Sequence, residues 1–271
     1  MSQFANLIVV YDPTHEEQPA LEHAIGIALE TSARLHLFAC IFSDTAKSAE
    51  EACEVSRFLA EQRENLDKLA VSLSERGVDV TTEVEWDKDW YRGVVRASIK
   101  SSADLVLKSS YKHSSSKRKF SMTSGWTLIR ECLCPVQLVN EGAPPCPSRV
   151  LVAVDICAKQ ESYDRLNRNL ISFGKRVLDN HSAEVHYINS FQDFKGVPDK
   201  QELIQNHGID SDKIHIKFGD PGNVIVAQAK KLDARLVVVG NSARSGVSAA
   251  FLGNTVEKVL HKLECDVLSM R

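Results

Sequence analysis

No apolar run in this chain approaches the ~20 residues that a membrane-spanning helix requires, so a membrane protein is not expected. The opening residues Met1–Asn6 have neither the basic start nor the long apolar stretch of a secretory signal, and none is expected. Charge of one sign is also scarce. A formal net charge of −3 is too small to make nucleic acid or a membrane surface the main partner. Seven cysteines (Cys40, Cys53, Cys132, Cys134, Cys146, Cys157 and Cys265) are odd in number and scattered, mostly inside apolar segments. That pattern suits reduced thiols in the cytoplasm rather than a disulfide framework. Cys132-Leu133-Cys134 resembles half a metal site, but no cysteine–histidine pair at finger spacing answers it, and no metal is expected. The nine histidines show no metalloprotease spacing, and there is no phosphate loop closing in Gly-Lys-Ser/Thr and no Gly-x-Ser-x-Gly elbow. Ser242 and Ser245 have no evident general base, which leaves nucleophilic catalysis without support.

What is present is a chain of 271 residues, long for one domain and comfortable for two. An apolar content of 43% with 25% charged residues is ordinary for a packed globular protein. The two halves repeat one another. Leu7-Ile8-Val9-Val10-Tyr11-Asp12 reads as a buried strand ending in an acid, and Val150-Leu151-Val152-Ala153-Val154-Asp155 repeats it. Ala103-Asp104-Leu105-Val106-Leu107 corresponds to Ala234-Arg235-Leu236-Val237-Val238, and Cys134-Pro135-Val136 to Cys265-Asp266-Val267, with the same displacement in both cases. Between the copies, Glu141 to Ser148 contains three prolines and reads as an extended linker. The expected domains are therefore 1–142 and 149–271.

In the first copy the pattern predicts helices over 16–31, 46–75, 90–101 and 123–131, alternating with strands over 7–12, 35–42, 78–84, 104–108 and 136–139. In the second it predicts strands over 150–155, 184–189, 213–217, 236–239 and 267–270, and helices over 164–179, 200–207, 223–232 and 255–263. Such alternation requires right-handed crossovers and a parallel sheet covered on both faces. The fold class is thus α/β: two tandem open five-stranded parallel-sheet domains, Rossmann-like, with helices on both faces. Ligands on such sheets bind at the carboxyl ends of the strands, where the strand order reverses.

One loop there carries a chemical signal. After the strand ending at Val239 come Gly240, Arg244 within a long turn, and then Gly253, Asn254 and Thr255 opening a helix. A helix N-terminus presents outward-pointing N–H groups and favours an anion, typically phosphate, by up to ~2 kcal/mol; Arg244 adds a charge-assisted contact. This loop resembles that of the universal stress protein family. Nucleotide-binding members carry a glycine, two residues, a glycine, nine residues, a glycine and then serine or threonine. Here Gly240, Ala243, Gly253 and Asn254 fall at those positions, with Gly219-Asp220-Pro221 as another family-like turn. Asp155 matches the family's acid near the adenosine ribose, and Ile188, closing the second strand, matches the position whose backbone contacts adenine.

The resemblance implies an adenine-nucleotide alpha-hydrolase-like fold and a non-enzymatic, cytoplasmic protein of stress survival, including DNA damage, acting through unidentified protein partners. It also implies ATP or a related nucleotide held in the second domain by Asp155, Ile188, Gly240, Arg244, Gly253, Asn254 and Thr255. Members dimerise through their last strands, which implies an internal pseudo-dimer through Val136–Val139 and Val267–Met270. Two positions depart from the pattern. Ala243 replaces a glycine, which costs roughly 1–2 kcal/mol if the site needs positive φ. Asn254 with Glu257 has the spacing of a helix N-cap and its acid. The first copy has Ser109, Lys112, Met122 and Thr123 at the matching positions, and binding of ATP there by the family mode is not expected. Two alternatives stay open: a weak nucleotide hydrolase, with a phosphate cradle but no clear base, and a ligand-free scaffold in which both loops are structural. Among smaller signals, the basic stretch 112–119 reads as a solvated loop, and Trp86, Trp90 and Tyr91 read as core rather than a base-stacking surface. The apolar run Val247–Leu252 suggests a ligand with an apolar portion.

Overall fold

The computed structural model describes residues 4–41, 49–111, 125–157, 160–181, 183–194, 197–241 and 255–271. The chain divides into two compact units, Met1–Pro145 and Cys146–Arg271.

The first unit contains β1 (Asn6–Tyr11), α1 (Pro19–Thr31), β2 (Arg34–Ile41), α2 (Ala49–Glu75), β3 (Val80–Trp86), α3 (Trp90–Lys100), β4 (Leu105–Ser110), α4 (residues 125–131) and β5 (Val136–Asn140). Its strands are parallel in the order β3-β2-β1-β4-β5. The second contains β6 (Arg149–Ala153), α5 (Glu161–His181), β7 (Glu184–Phe191), α6 (Lys200–His207), β8 (Ile214–Phe218), α7 (Pro221–Leu232), β9 (Leu236–Gly240), α8 (Thr255–Lys262) and β10 (Asp266–Met270). Its strands are parallel in the order β10-β9-β6-β7-β8. The α/β class expected from the alternation is what forms, one five-stranded parallel sheet per unit.

The central strands are buried on both faces, as parallel strands between helices must be: Leu7 to Val10 in β1 and Val150 to Val152 in β6 are all in the core. Helix α2 is long and charged but buries Leu66 and Leu73 on one stripe. Helix α6 is only 8 residues long. It is fixed at both ends, by Asp199 accepting from the Gln201 N–H and by Gly208 in the left-handed region at φ 64°.

Boundaries shift where polar residues rather than apolar periodicity set them. Helix α1 begins at Pro19 instead of residue 16, because proline suits the first helical turn and residues 12–18 form their own bonded loop. Strand β7 runs on past residue 189 to Phe191, which pairs with Phe218 at the end of β8. The acids Asp12 and Asp155 stand just beyond their strands rather than within them.

Candidate functional site

In the second unit β6 lies between β7 and β9, so the strand order reverses between β6 and β9. Val152 pairs with Val238, which brings Asp155 level with Asn241 just past the carboxyl ends of the two strands. Asp155 is exposed. Its backbone is fixed from two sides. The Asp155 N–H donates to Asn167 Oδ1 at 3.0 Å, while Asn167 Nδ2 donates to the Asp155 carbonyl at 2.7 Å. The next N–H, of Ile156, donates to Asn189 Oδ1 at 2.8 Å. Both asparagines are buried, and a buried amide stays only where its groups are bonded. They were not among the residues singled out from sequence; a polar residue on the apolar stripe of α5 (Asn167) and one in the apolar run of β7 (Asn189) are the signals that point to them.

Ile188 does not close its strand: it lies inside β7, is 1% exposed, and its carbonyl accepts the Val154 N–H at 2.9 Å. Gly240 ends β9, but the close approach it permits is by the protein itself. A Cβ there would stand 2.8 Å from Leu166 Cδ2 and 3.3 Å from Leu170 Cδ1, both on α5. The glycine makes room for the helix that carries Asn167. Asn241 is tied by its N–H to the Met270 carbonyl at 2.7 Å. Thr255 is half-buried and is the first residue of α8. Arg244, Gly253 and Asn254, with Ala243 and the run Val247–Leu252, lie outside the described residues.

Helix α8 is anchored to α7. Asp220 caps α7 by accepting the Asn223 N–H at 3.2 Å, and its other oxygen accepts from Lys258 Nζ on α8 at 2.8 Å. The hydrogen bond from Lys258 holds the Asp220 carboxyl below the usual range. Gly222 lets the helices meet: a Cβ there would lie 2.8 Å from Lys258 Cβ. Replacing a capping aspartate by alanine costs about 0.5–2 kcal/mol. Asp220→Ala is expected to lower stability by that amount, read by urea denaturation; an unchanged midpoint would show that neither the cap nor the Lys258 contact matters.

In the first unit the equivalent acid is Asp12. Asp12 accepts from the Thr14 N–H at 2.9 Å and the Thr14 hydroxyl at 2.6 Å, and His15 Nδ1 lies 3.1 Å from its other oxygen. The His15 ring stacks on Tyr111 at 3.6 Å, and burial pushes the Tyr111 phenol up to about 12. Ser109, at the position matching Gly240, is buried and accepts the Ala20 N–H of α1 at 3.1 Å. Lys108 donates to the Ser109 carbonyl at 2.9 Å and lies 5.2 Å from the centre of the Trp90 ring, so Trp90 faces a cation. Lys112, Met122 and Thr123, like the basic stretch 112–119, lie outside the described residues.

At the opposite, amino ends of β1 to β3 is a groove of about 650 Å³ lined among others by Arg34, His36, Glu83 and Lys100. Its charges are largely paired, Glu83 with Lys100 at 2.9 Å and with His36 at 3.1 Å. Among the described residues no group of three or more metal-ligating side chains is assembled, and no helix is long and apolar enough to cross a membrane. No disulfide joins any of the seven cysteines, all of which are among the described residues.

The sequence profile of the universal stress protein family matches residues 3–140 and 177–271. The chain belongs to the universal stress protein family. Among universal stress proteins it is similar over its whole length to universal stress protein E of Photorhabdus laumondii subsp. laumondii, at 29% identity over 100% of this chain and 96% of the relative. Universal stress protein E of Escherichia coli K12 is 27% identical over 100% of this chain and 95% of the relative. The crystal structure of a functionally unknown protein from Pseudomonas aeruginosa PAO1 is similar at a TM-score of 0.82 and 27% identity, covering 99% of this chain and 93% of that one. The family expected from the Gly240–Asn254 spacing, Asp155 and the tandem repeat is therefore the family found.

Proposed function

We propose that this universal stress protein is a non-enzymatic, cytoplasmic stress-response protein whose second unit binds a nucleotide or related metabolite at the carboxyl ends of β6 and β9. The observation that carries this reading is the exposed Asp155 carboxylate, placed at the strand-order reversal on a turn held by two buried asparagines. A carboxylate there accepts hydrogen bonds from vicinal ribose hydroxyls, and a pre-set turn avoids the entropy of ordering it on binding. Phosphate contacts fall to Arg244, Gly253, Asn254 and Thr255. Gly240 supports this site indirectly, by admitting Leu166 and so seating α5 against β9. In the first unit the position matching Gly240 is the buried Ser109, bonded to α1, which favours one site per chain.

Hydrogen bonds to a charged group contribute about 1.5–3 kcal/mol, so Asp155→Ala is expected to weaken ATP binding by roughly 10- to 150-fold in calorimetric titration of the full chain. Asp12→Ala is expected to leave that affinity unchanged. Wild-type protein that retains no ligand in native mass spectrometry and takes up no nucleotide in titration would leave only the scaffold alternative. Phosphate release on incubation with ATP would favour the hydrolase.

A further inference from the structure

Beyond Asn189, β7 ends at Phe191, and the following turn brings Phe194 back over Phe218 at the end of β8. The Phe194 and Phe218 rings are stacked, 4.6 Å between centres and 14° from parallel. Phe191 meets both edge-on, at 5.8 Å and 5.6 Å. Phe194 is 72% exposed and Phe218 56%. Burying a phenylalanine ring is strongly stabilising, and here two large rings forgo much of that while being held flat against one another.

Their place is specific. Phe191 and Phe218 are register partners, and the Gly219 N–H bonds the Phe191 carbonyl at 2.9 Å, so the aromatic corner is built on the carboxyl ends of β7 and β8. The turn carrying Asp155 is pinned to Asn189, two residues before Phe191 on the same strand. The aromatic corner and the exposed carboxylate therefore lie at the same, carboxyl end of one sheet, beyond neighbouring strands. A ligand reaching both needs hydrogen-bond donors for Asp155 and a flat ring for the stack. An alkyl chain gains little from an open plate, since apolar stabilisation scales with the area enclosed; a planar heteroaromatic ring gains a whole face.

We propose that the Phe194–Phe218 stack is the platform for the base of the nucleotide, so that the second unit selects base-bearing ligands over sugar phosphates and polyphosphates. This rests on the nucleotide reading above and assigns the ring recognition that Ile188, buried with its carbonyl engaged, does not supply. Stacking on an aromatic side chain contributes about 1–3 kcal/mol per base. In calorimetric titration of the full chain, Phe194→Ala is expected to weaken ATP binding about 5- to 150-fold, with tripolyphosphate affinity unchanged. Phe194→Trp is expected to restore ATP binding and, against a Phe194→Trp sample without nucleotide, to show quenched fluorescence. Phe194 is exposed on a turn, so thermal unfolding of both variants should match the wild type. If wild-type protein binds ATP, Asp155→Ala loses it and Phe194→Ala does not, the platform is wrong and the nucleotide reading stands. If wild-type protein binds no nucleotide, both fail. Self-association that Phe194→Ala abolishes while ATP affinity is unchanged would also overturn the platform, making the corner a protein contact.

Discussion

Phe38→Ala is expected to destabilise the first unit by about 3–5 kcal/mol, toward the upper end of what a buried phenylalanine loses on truncation. Phe38 is fully buried in the middle of β2, where Val10 of β1 and Glu83 of β3 flank it in register. The cost depends on how far the surroundings can collapse into the space left behind. Here they cannot move far, because both flanking strands are held by ladders. The ring also rests on Gly93 of α3: a Cβ at Gly93 would lie 3.1 Å from Phe38 Cζ and 3.0 Å from Glu85 Oε2. That wall of the cavity has no side chain to swing inward. All three tryptophans, Trp86, Trp90 and Trp126, belong to the first unit, so tryptophan fluorescence in urea reports its unfolding. The midpoint should fall with the slope unchanged. Gly93→Ala supplies a second arm. Alone, it crowds Phe38 and Glu85; in the Phe38→Ala background it places a methyl group in the cavity and removes a helix-interior glycine, worth about 1 kcal/mol. The double variant is therefore expected to be more stable than Phe38→Ala. Additive effects would mean that the two positions do not share the packing described.

The contrast between Phe38 and Asn167 shows which parts of this protein were legible beforehand. Continuous apolar runs such as Leu7–Val10 and Val150–Val152 specify buried parallel strands by composition alone, and the stripe through Leu66 and Leu73 specifies a long one-sided helix. These features are local, and the fold follows from them. Gly240 was legible as part of the loop pattern but not as the place where α5 approaches, because Leu166 lies far away in sequence and only the packing of α5 on β9 reveals it. Asn167 and Asn189 break the apolar pattern of their elements, yet their partner is a backbone turn whose position depends on the finished sheet. The aromatic corner is likewise assembled by register: Phe191 and Phe218 meet because β7 and β8 pair as they do. Ile188 was assigned by family position, and extension of β7 by two residues places it inside the strand. Apolar periodicity reports the core; polar contacts across elements report the site, and their partners are fixed only in three dimensions.

Acid is expected to destabilise the second unit through two facing histidines. His186 on β7 and His215 on β8 stand with Nδ1 of the first 3.0 Å from Nε2 of the second. One hydrogen sits between them, so one ring donates and the other accepts; two imidazolium rings cannot share that contact. His186 is 6% exposed. Its Nε2 lies 3.3 Å from Glu184 Oε1, the oxygen that Lys213 Nζ also meets. Glu184 and Asp212 favour protonation of His186, while burial and Lys213 oppose it and prevail. Around His215 burial leads, and His186, Lys217, Lys200 and Lys231 all add to it, lowering the ring to about 4. In the unfolded chain both rings titrate near 6.5. Stability held by the neutral pair is thus complete above 6.5 and is lost as pH falls toward 4, because only the unfolded chain takes up protons in that window. For the partly exposed His215, solvent screening reduces the effect to about 1–3 kcal/mol. His207, also lowered by burial, contributes in the same direction, so the decisive comparison is with a variant. His215→Gln keeps a donor and an acceptor for His186 but removes one titration. Urea unfolding followed by circular dichroism at pH 7, 6, 5 and 4.5 should show a shallower loss in the variant, approaching one proton less per chain, or about 1.4 kcal/mol less per pH unit at most. Parallel curves for the two proteins would show that His215 already titrates normally in the folded state, and that the pair is not held as described.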